Sequence, residues 1–153
     1  MTAMNEARFT EYVTFSAAGQ MFGLPIARVQ DVFKASRITR VPLSGAEIAG
    51  VLNLRGRIVT AIHLGHRLGL EARREGLPPM AIGIESGAES FGLLVDAVGE
   101  VLKLSDSERE ANPINLDRKL ARVSAGVFRL DGQLLVVLDV DRVLDLGAEA
   151  AAA

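Results

Sequence analysis

The chain is predicted to be all-β, built from a small β-unit that occurs twice. Three observations predict this. First, apolar runs of five to eight residues alternate with Gly-containing turn signals along most of the sequence, the pattern of small barrels or a sandwich. Second, the stretch Gly50 to Leu70, GVLNLRGRIVTAIHLGHRLGL, returns as Gly126 to Leu146, GVFRLDGQLLVVLDVDRVLDL. Gly50, Val51, Leu54, Gly56, Leu64 and Leu68 match Gly126, Val127, Leu130, Gly132, Val140 and Leu144, every pair 76 residues apart. Third, the run Phe22 to Lys34 returns as Phe91 to Lys103, 69 residues apart. A longer loop in the second half accounts for the difference between the spacings. Two echoes in one order make chance matching among Gly, Val and Leu the weaker explanation.

In chain order, residues 1–10 read as a loosely held tail and Glu11 to Phe15 as a strand. Ala17 to Gln20 is a turn, and Met21 to Pro25 starts a second strand. Ile26, Val29, Val32 and Phe33 have helical spacing, so a brief helical turn is expected there. Val41-Pro42 marks a boundary because Pro cannot donate to a ladder. The 50–70 stretch is a hairpin turning at Arg55-Gly56, where Gly supplies positive φ. Glu71 to Pro79, EARREGLPP, is the predicted linker. Met80 to Ile84, Phe91 to Val95 and Val98 to Leu104 are strands. Ser105 and Glu108 stand in capping-box order for a short helical turn. Asn112 to Ala121 is the long loop, a hairpin turns at Asp131-Gly132, and Asp139 to Leu146 reads as a short amphipathic helix.

Composition narrows the function. With 153 residues and 49% apolar content, the chain can bury a core and is not wholly disordered. It has no Cys, hence no disulfide, thiolate nucleophile or zinc-thiolate site. A net charge of −2 with 5% aromatics argues against nucleic-acid binding. No apolar run approaches the roughly 20 residues of a membrane helix, and the N-terminus lacks the order of a signal peptide. Charge is uneven: ten Lys and Arg against six Asp and Glu in residues 1–76, seven against thirteen in residues 77–153. Such asymmetry suits directed encounter with partners, or is simply solvated surface.

Signatures of catalysis are missing from the sequence. There is no phosphate-binding loop and no dinucleotide fingerprint. His63 and His66 form H-x-x-H without a third or fourth ligand, and Asp139, Asp141 and Asp145 read as the polar face of an amphipathic segment. Arg55, at a turn between apolar strands, reads either as a brace between modules or as a partner anchor. Asp31, polar within an apolar-spaced run, is expected on an exposed edge.

The residues Phe22 to Ile26, Val29-Gln30-Asp31-Val32, Ile38-Thr39, Val41-Pro42, Gly50-Val51, Asn53-Leu54-Arg55-Gly56 and Arg67 to Leu70 together resemble the chemotaxis coupling protein family, CheW. Val95-Asp96, Glu100-Val101-Leu102 and Leu130-Asp131-Gly132 extend the resemblance, which covers about residues 11–146. It implies two small five-stranded SH3-like β-barrels packed around a shared core, a first barrel over about 20–70, a linker over 71–79 and a second barrel over 80–146, with the strand at 11–15 pairing with either and flexible tails at 1–10 and 147–153. It implies a cytoplasmic adaptor, not an enzyme, without cofactor or metal. Its partners would be the regulatory domain of a histidine autokinase and the cytoplasmic tip of methyl-accepting chemoreceptors. Val29, Asp31, Gly50 and Arg55 match positions associated with these contacts, and Asn53 and Gly56 belong to the same turn motif. Asp31 stands for the usual Glu. The family's usual Ile-Asp-Leu-Arg run is Ile62-His63-Leu64-Gly65 here, and its frequent Pro is Thr60, which marks a divergent paralogue. A second expectation, from a different class, is a stand-alone small-ligand or metal-binding β-module using His63 and His66.

Overall fold

The computed structural model describes residues 8–35, 38–39, 48–54, 56–69 and 80–144, with the His66 side chain excepted. Arg55, the expected linker, the terminal tails and Val41-Pro42 lie outside the described residues. Among the described residues, ten strands form two five-stranded sheets. The strands are β1 (Phe9–Ala17), β2 (Gln20–Pro25), β3 (Val29–Lys34), β4 (Ile48–Leu54), β5 (Arg57–His63), β6 (Met80–Ser86), β7 (Glu89–Val95), β8 (Ala97–Ser105), β9 (Ser124–Leu130) and β10 (Gln133–Leu138). Among the described residues, three short α-helices follow strands or loops: α1 (Leu64–Arg67), α2 (Arg118–Val123) and α3 (Val140–Val143).

Strand order is β8-β1-β2-β10-β9 in barrel 1 and β3-β6-β7-β5-β4 in barrel 2. Adding five to each strand number, cyclically, turns one order into the other. The chain is therefore a repeat, β1 to β5 and β6 to β10. Yet the barrels are not the two halves of the chain, and this corrects the module boundaries expected at 20–70 and 80–146. Barrel 1 takes β1 and β2 from the first repeat and β8 to β10 from the second; barrel 2 takes the reverse. The reason is the direction of two pairings. β2 lies parallel to β10 and β5 parallel to β7, and parallel neighbours cannot be joined by a tight hairpin.

The repeat holds to single residues. Thr60 pairs with Phe91 and Ala61 with Gly92; their counterparts Val136 and Val137 pair with Phe22 and Gly23. The bulge between Ile48 and Gly50 recurs between Val137 and Leu138, opposite Ser124 and Gly126. Isolated bridges Thr39–Val51 and Glu110–Val127 flank the same strand in each repeat.

Three apolar clusters follow from this wiring. The largest lies between the barrels and includes Phe15, Phe22, Leu24, Ile62, Leu64, Ile82 and Leu138. Barrel 1 is filled by Tyr12, Phe128, Leu135 and Val137, with Tyr12 edge-on to Phe128 at 5.4 Å between centroids. Barrel 2 is filled by smaller groups, Ala35, Leu52, Val59, Ala61, Ala81 and Leu94.

Turns obey their residues. Ala18 at φ 52° and Gly19 at φ 81° make the two-residue β1–β2 turn, whose two positive φ values match the strands' twist. Asp96 Oδ2 accepts the Ala18 N–H at 2.8 Å and holds this uncommon conformation for a non-glycine residue. The expected helical turn at Ile26 is a 3-10 turn over Ile26–Arg28, after which the chain runs extended as β3. The loop at 112–121 ends in α2, because Asp117 accepts the Lys119 N–H at 2.8 Å as an N-cap. The expected Ser105–Glu108 capping box does not form: the Ser105 hydroxyl pairs with Ser107 Oγ at 2.9 Å.

Gly50 has φ 147°, and a Cβ there would fall 2.1 Å from the Thr39 carbonyl oxygen. Gly126 has φ 131°, but the nearest atoms are the flexible Arg109 side chain at 3.0 Å and the Glu110 oxygen at 3.1 Å. Gly50→Ala is expected to destabilise the chain by about 3 kcal/mol or more and Gly126→Ala by about 1–2 kcal/mol. Urea unfolding of the two variants checks both the size and the order.

Candidate interaction site

β3 is an edge strand of barrel 2. Val29 packs on the shared core. A bulge between Val29 and Asp31 then changes the face the strand presents, so that Phe33 packs into the barrel 2 cluster. Asp31 is half-buried rather than openly exposed, and its Oδ1 accepts the Val32 N–H at 2.8 Å. Across the barrel mouth, Asn53 Oδ1 accepts the Gly56 N–H at 2.9 Å and brackets the β4–β5 turn. Gly56, at φ 83° with open space around it, serves that turn.

Between these two rims lies a half-enclosed pocket of about 400 Å³, lined among others by Asp31, Phe33, Leu54, Arg57 and Val59. One edge of it carries a polar chain from four strands. Arg57 Nη2 donates to Glu85 Oε2 at 3.1 Å and to Ser90 Oγ at 2.7 Å, while Gln30 Nε2 donates to the same Glu85 oxygen at 3.1 Å. The Gln30 amide, followed by the Arg57 guanidinium, holds the Glu85 carboxyl below its ordinary value of 4.5. These polar groups satisfy one another around an apolar interior, an arrangement suited to recognition by contact.

Of the residues singled out from sequence, Asp31 lines the pocket, while Asn53 and Gly56 lie in the β4–β5 turn, whose flanking residues Leu54 and Arg57 line it. Val29 supports the shared core, and Gly50 is buried, with its backbone against Thr39, which makes a bridge with Val51. Gln30, Arg57, Glu85 and Ser90 were not singled out. Each is an ordinary polar residue near a strand end, and only the pairing of β3, β5, β6 and β7 brings them together. Among the described residues, no three His, Asp or Glu gather as a metal would need.

The departure at His63 has a physical reading. His63 precedes α1, and its counterpart Asp139 precedes α3 and caps it, Oδ1 accepting the Arg142 N–H at 3.3 Å. The two helix ends are further tied: Arg67 of α1 donates to the Val143 and Arg142 carbonyls at 2.8 and 3.0 Å, closing the C-terminal end of α3.

One outcome is expected. The lowered Glu85 value means that its contribution is present above pH 4.5 and fades as pH falls through the depressed folded-state value. A carbon-detected NMR titration of the Glu85 side chain should give a midpoint below 4.5, and Gln30→Ala should move it upward.

Residues 11–147 match the CheW-like domain family. Chemotaxis protein CheW of Thermotoga maritima is 29% identical over 135 residues, covering 88% of this chain and 87% of that protein. Chemotaxis protein CheW of Rhizobium meliloti is 29% identical over 136 residues, covering 87% and 86%. The crystal structure of the scaffolding protein TtCheW from Thermoanaerobacter tengcongensis superposes with a TM-score of 0.80 at 28% identity, covering 92% of this chain and 95% of that one. With the match spanning both barrels and all ten strands but the first two residues of β1, the chain belongs to the CheW-like domain family.

Proposed function

We propose that this chain is a non-enzymatic adaptor that couples chemoreceptors to a chemotaxis-type histidine autokinase by contact alone. Its partners would be the kinase regulatory domain and the cytoplasmic tip of methyl-accepting chemoreceptors, and it would sit at cytoplasmic receptor arrays through them, with residues 11–146 acting as one unit. The observation that carries this reading is the barrel 2 mouth. There an apolar pocket is ringed by polar groups already paired to one another, so a partner gains apolar burial without stripping water from lone charges. The relatives' names, chemotaxis and scaffolding proteins, support the same role. No helix among the described residues is long and apolar enough to cross a membrane.

Asp31, Asn53, Arg55 and Gly56 are assigned to partner contact, Asp31 from the lining of this pocket. Val29 and Gly50 act through the backbone and core that shape it. Regulation follows if two receptor states bind the adaptor with different affinity.

Calorimetric titration against the kinase regulatory domain and against a receptor-tip fragment tests the assignment. Binding of at least one at about tens of micromolar or tighter is expected. Asp31→Lys and Arg55→Ala should each weaken it by about tenfold or more with an unchanged melting temperature. Failure of both partners to bind overturns the reading, and unfolding of Arg55→Ala assigns that residue to a brace between modules.

A further inference from the structure

The second repeat carries a set of cations that the first repeat lacks. α2 presents Arg118, Lys119 and Arg122 to solvent while Leu120 and Val123 bury. The 76-residue spacing sets these positions against residues 42–47, which read PLSGAE, without a cation. Arg109 stands one residue before the bridge Glu110–Val127, where Ile38 precedes the matching bridge Thr39–Val51. Its aliphatic stem lies on the bulged strand at Gly126, where a Cβ would meet Arg109 Cγ and Cδ at 3.0 Å. Arg142 of α3 stands where the first repeat has His66. Architecture common to both repeats does not account for a cationic set confined to one of them.

An open hollow of about 490 Å³ adjoins α2. It starts at Ser124, the residue that ends the helix, and is lined among others by Arg109, Glu110, Asn112, Asp139 and Arg142. The Arg142 guanidinium donates to the Ser124 carbonyl at 3.4 Å, and the Ser124 hydroxyl donates to Asn112 Oδ1 at 2.6 Å. The carboxylates around this face are already engaged. Glu110 takes Arg129 at 3.0 Å, and Asp117 accepts the Lys119 N–H as the α2 cap. Asp139 accepts the Arg142 N–H at 3.3 Å and lies 3.7 Å from its guanidinium, and Asp141 lies 3.6 Å from Arg28. Glu108 belongs to a second hollow, beside Leu104 and Phe128. Arg109, Arg118, Lys119 and Arg122, by contrast, make no ion pair with any described residue.

We propose that α2 and this hollow form a docking face for an acidic segment of a partner protein, bound extended with its carboxylates on the arginines. Arg118 and Arg122 are one helical turn apart, about 6 Å along the axis. Carboxylates on alternate residues of an extended chain recur about every 6.6–6.8 Å, so two of them meet the two guanidiniums in register. Arg109 and Arg142 take a third at the hollow, and each guanidinium offers a planar fork that matches a carboxylate. Other anions fit less well. No aromatic ring lines the hollow, so bases have nothing to stack on. Leu120 and Val123 are turned into the core, so α2 has no apolar face to lay in a lipid surface. The face uses none of the residues assigned above to kinase or receptor contact, so it stands apart from that reading.

Fluorescence anisotropy of a dye-labelled peptide of alternating Glu and Ser, about ten residues long, reads the contact on the full chain. At about 20 mM salt the peptide should bind with a Kd of about 100 µM or tighter, and at about 200 mM salt several-fold more weakly. Arg118→Gln combined with Arg122→Gln, and separately Arg109→Gln, should each weaken binding by about threefold or more. Lys103→Gln removes as much charge as Arg109→Gln, but from edge strand β8, and should change the affinity by less than about twofold. Arg118→Lys combined with Arg122→Lys keeps the charge and removes the forks. It should weaken binding by about threefold, and it keeps the test valid if the glutamine pair misfolds. No binding at low salt overturns the proposal. So does an equal loss in Lys103→Gln, full affinity in the lysine pair, or tighter binding to duplex DNA or to phosphatidylglycerol vesicles than to the peptide.

Discussion

The parallel pairing of β2 with β10 and of β5 with β7 is the constraint on which the rest depends. Each of these joints unites strands from different repeats, so neither barrel can close from one half of the chain. The helices that follow β5 and β10 are then brought against one another, and Leu64 and Val140, at matched positions, both bury in the core between the barrels. The Arg67 side chain closes α3 from the opposite repeat, adding a polar tie at the same joint. Long-range pairings of this sort carry loop-closure entropy before they return contacts, so the two barrels should form together rather than in sequence.

Once the shared core fixes both barrels, their interiors are free to differ. Barrel 1 has large side chains and a hydrogen-bonded threonine in its centre; barrel 2 has alanines and a glycine pair. The hollow one is placed behind an edge strand whose bulge directs Phe33 inward beside Asp31, and its opening is bordered by the bracketed turn at Asn53–Gly56. Interior deletion of this kind costs packing energy, and here the cost falls in the barrel whose stability is already supported by its neighbour through the common core. A pocket is thereby tolerated in one copy of a unit that the other copy keeps filled.

The repeat, the strands and both hairpin turns were legible because they depend on local pattern: alternation, Gly at positive-φ turns, and matched spacing of 76 and 69 residues. Which strands join which barrel was not legible. Parallel and antiparallel neighbours leave the same alternation in sequence, so the halves of the chain were mistaken for the barrels. The site was legible in part. Asp31 stands out by residue type and lines the pocket, whereas Asn53 and Gly56 stand out as partners within the β4–β5 turn. Gly50 also stands out, for a backbone reason, since its Cβ would collide with Thr39. Gln30, Arg57, Glu85 and Ser90 stayed hidden, because residues on four strands become neighbours only through register. The brief helical turn expected at Ile26 is present, as a 3-10 turn, whereas the missing capping box shows the opposite error, in which a local sequence pattern was overruled by a nearer hydroxyl.

The comparison between repeats also separates what a position does for the fold from what it does for recognition. Where both copies keep a feature, as with the left-handed glycines Gly50 and Gly126 or the paired bulges, the shared architecture demands it. Where they diverge, the fold alone cannot be the reason. Asp139 caps α3 while His63 stands before α1, and the fold accommodates both. Thr14 plugs barrel 1 while Gly83 opens barrel 2, and Gly99 faces Thr14 so closely that a Cβ there would lie 2.8 Å from its hydroxyl. That contact is the mark of a filled interior. Its absence at Gln30, the counterpart of Gly99, leaves room for an amide that instead steadies Glu85 at the rim. One substitution in the interior and one at the edge thus belong together: opening the barrel frees the edge residue to organise the mouth.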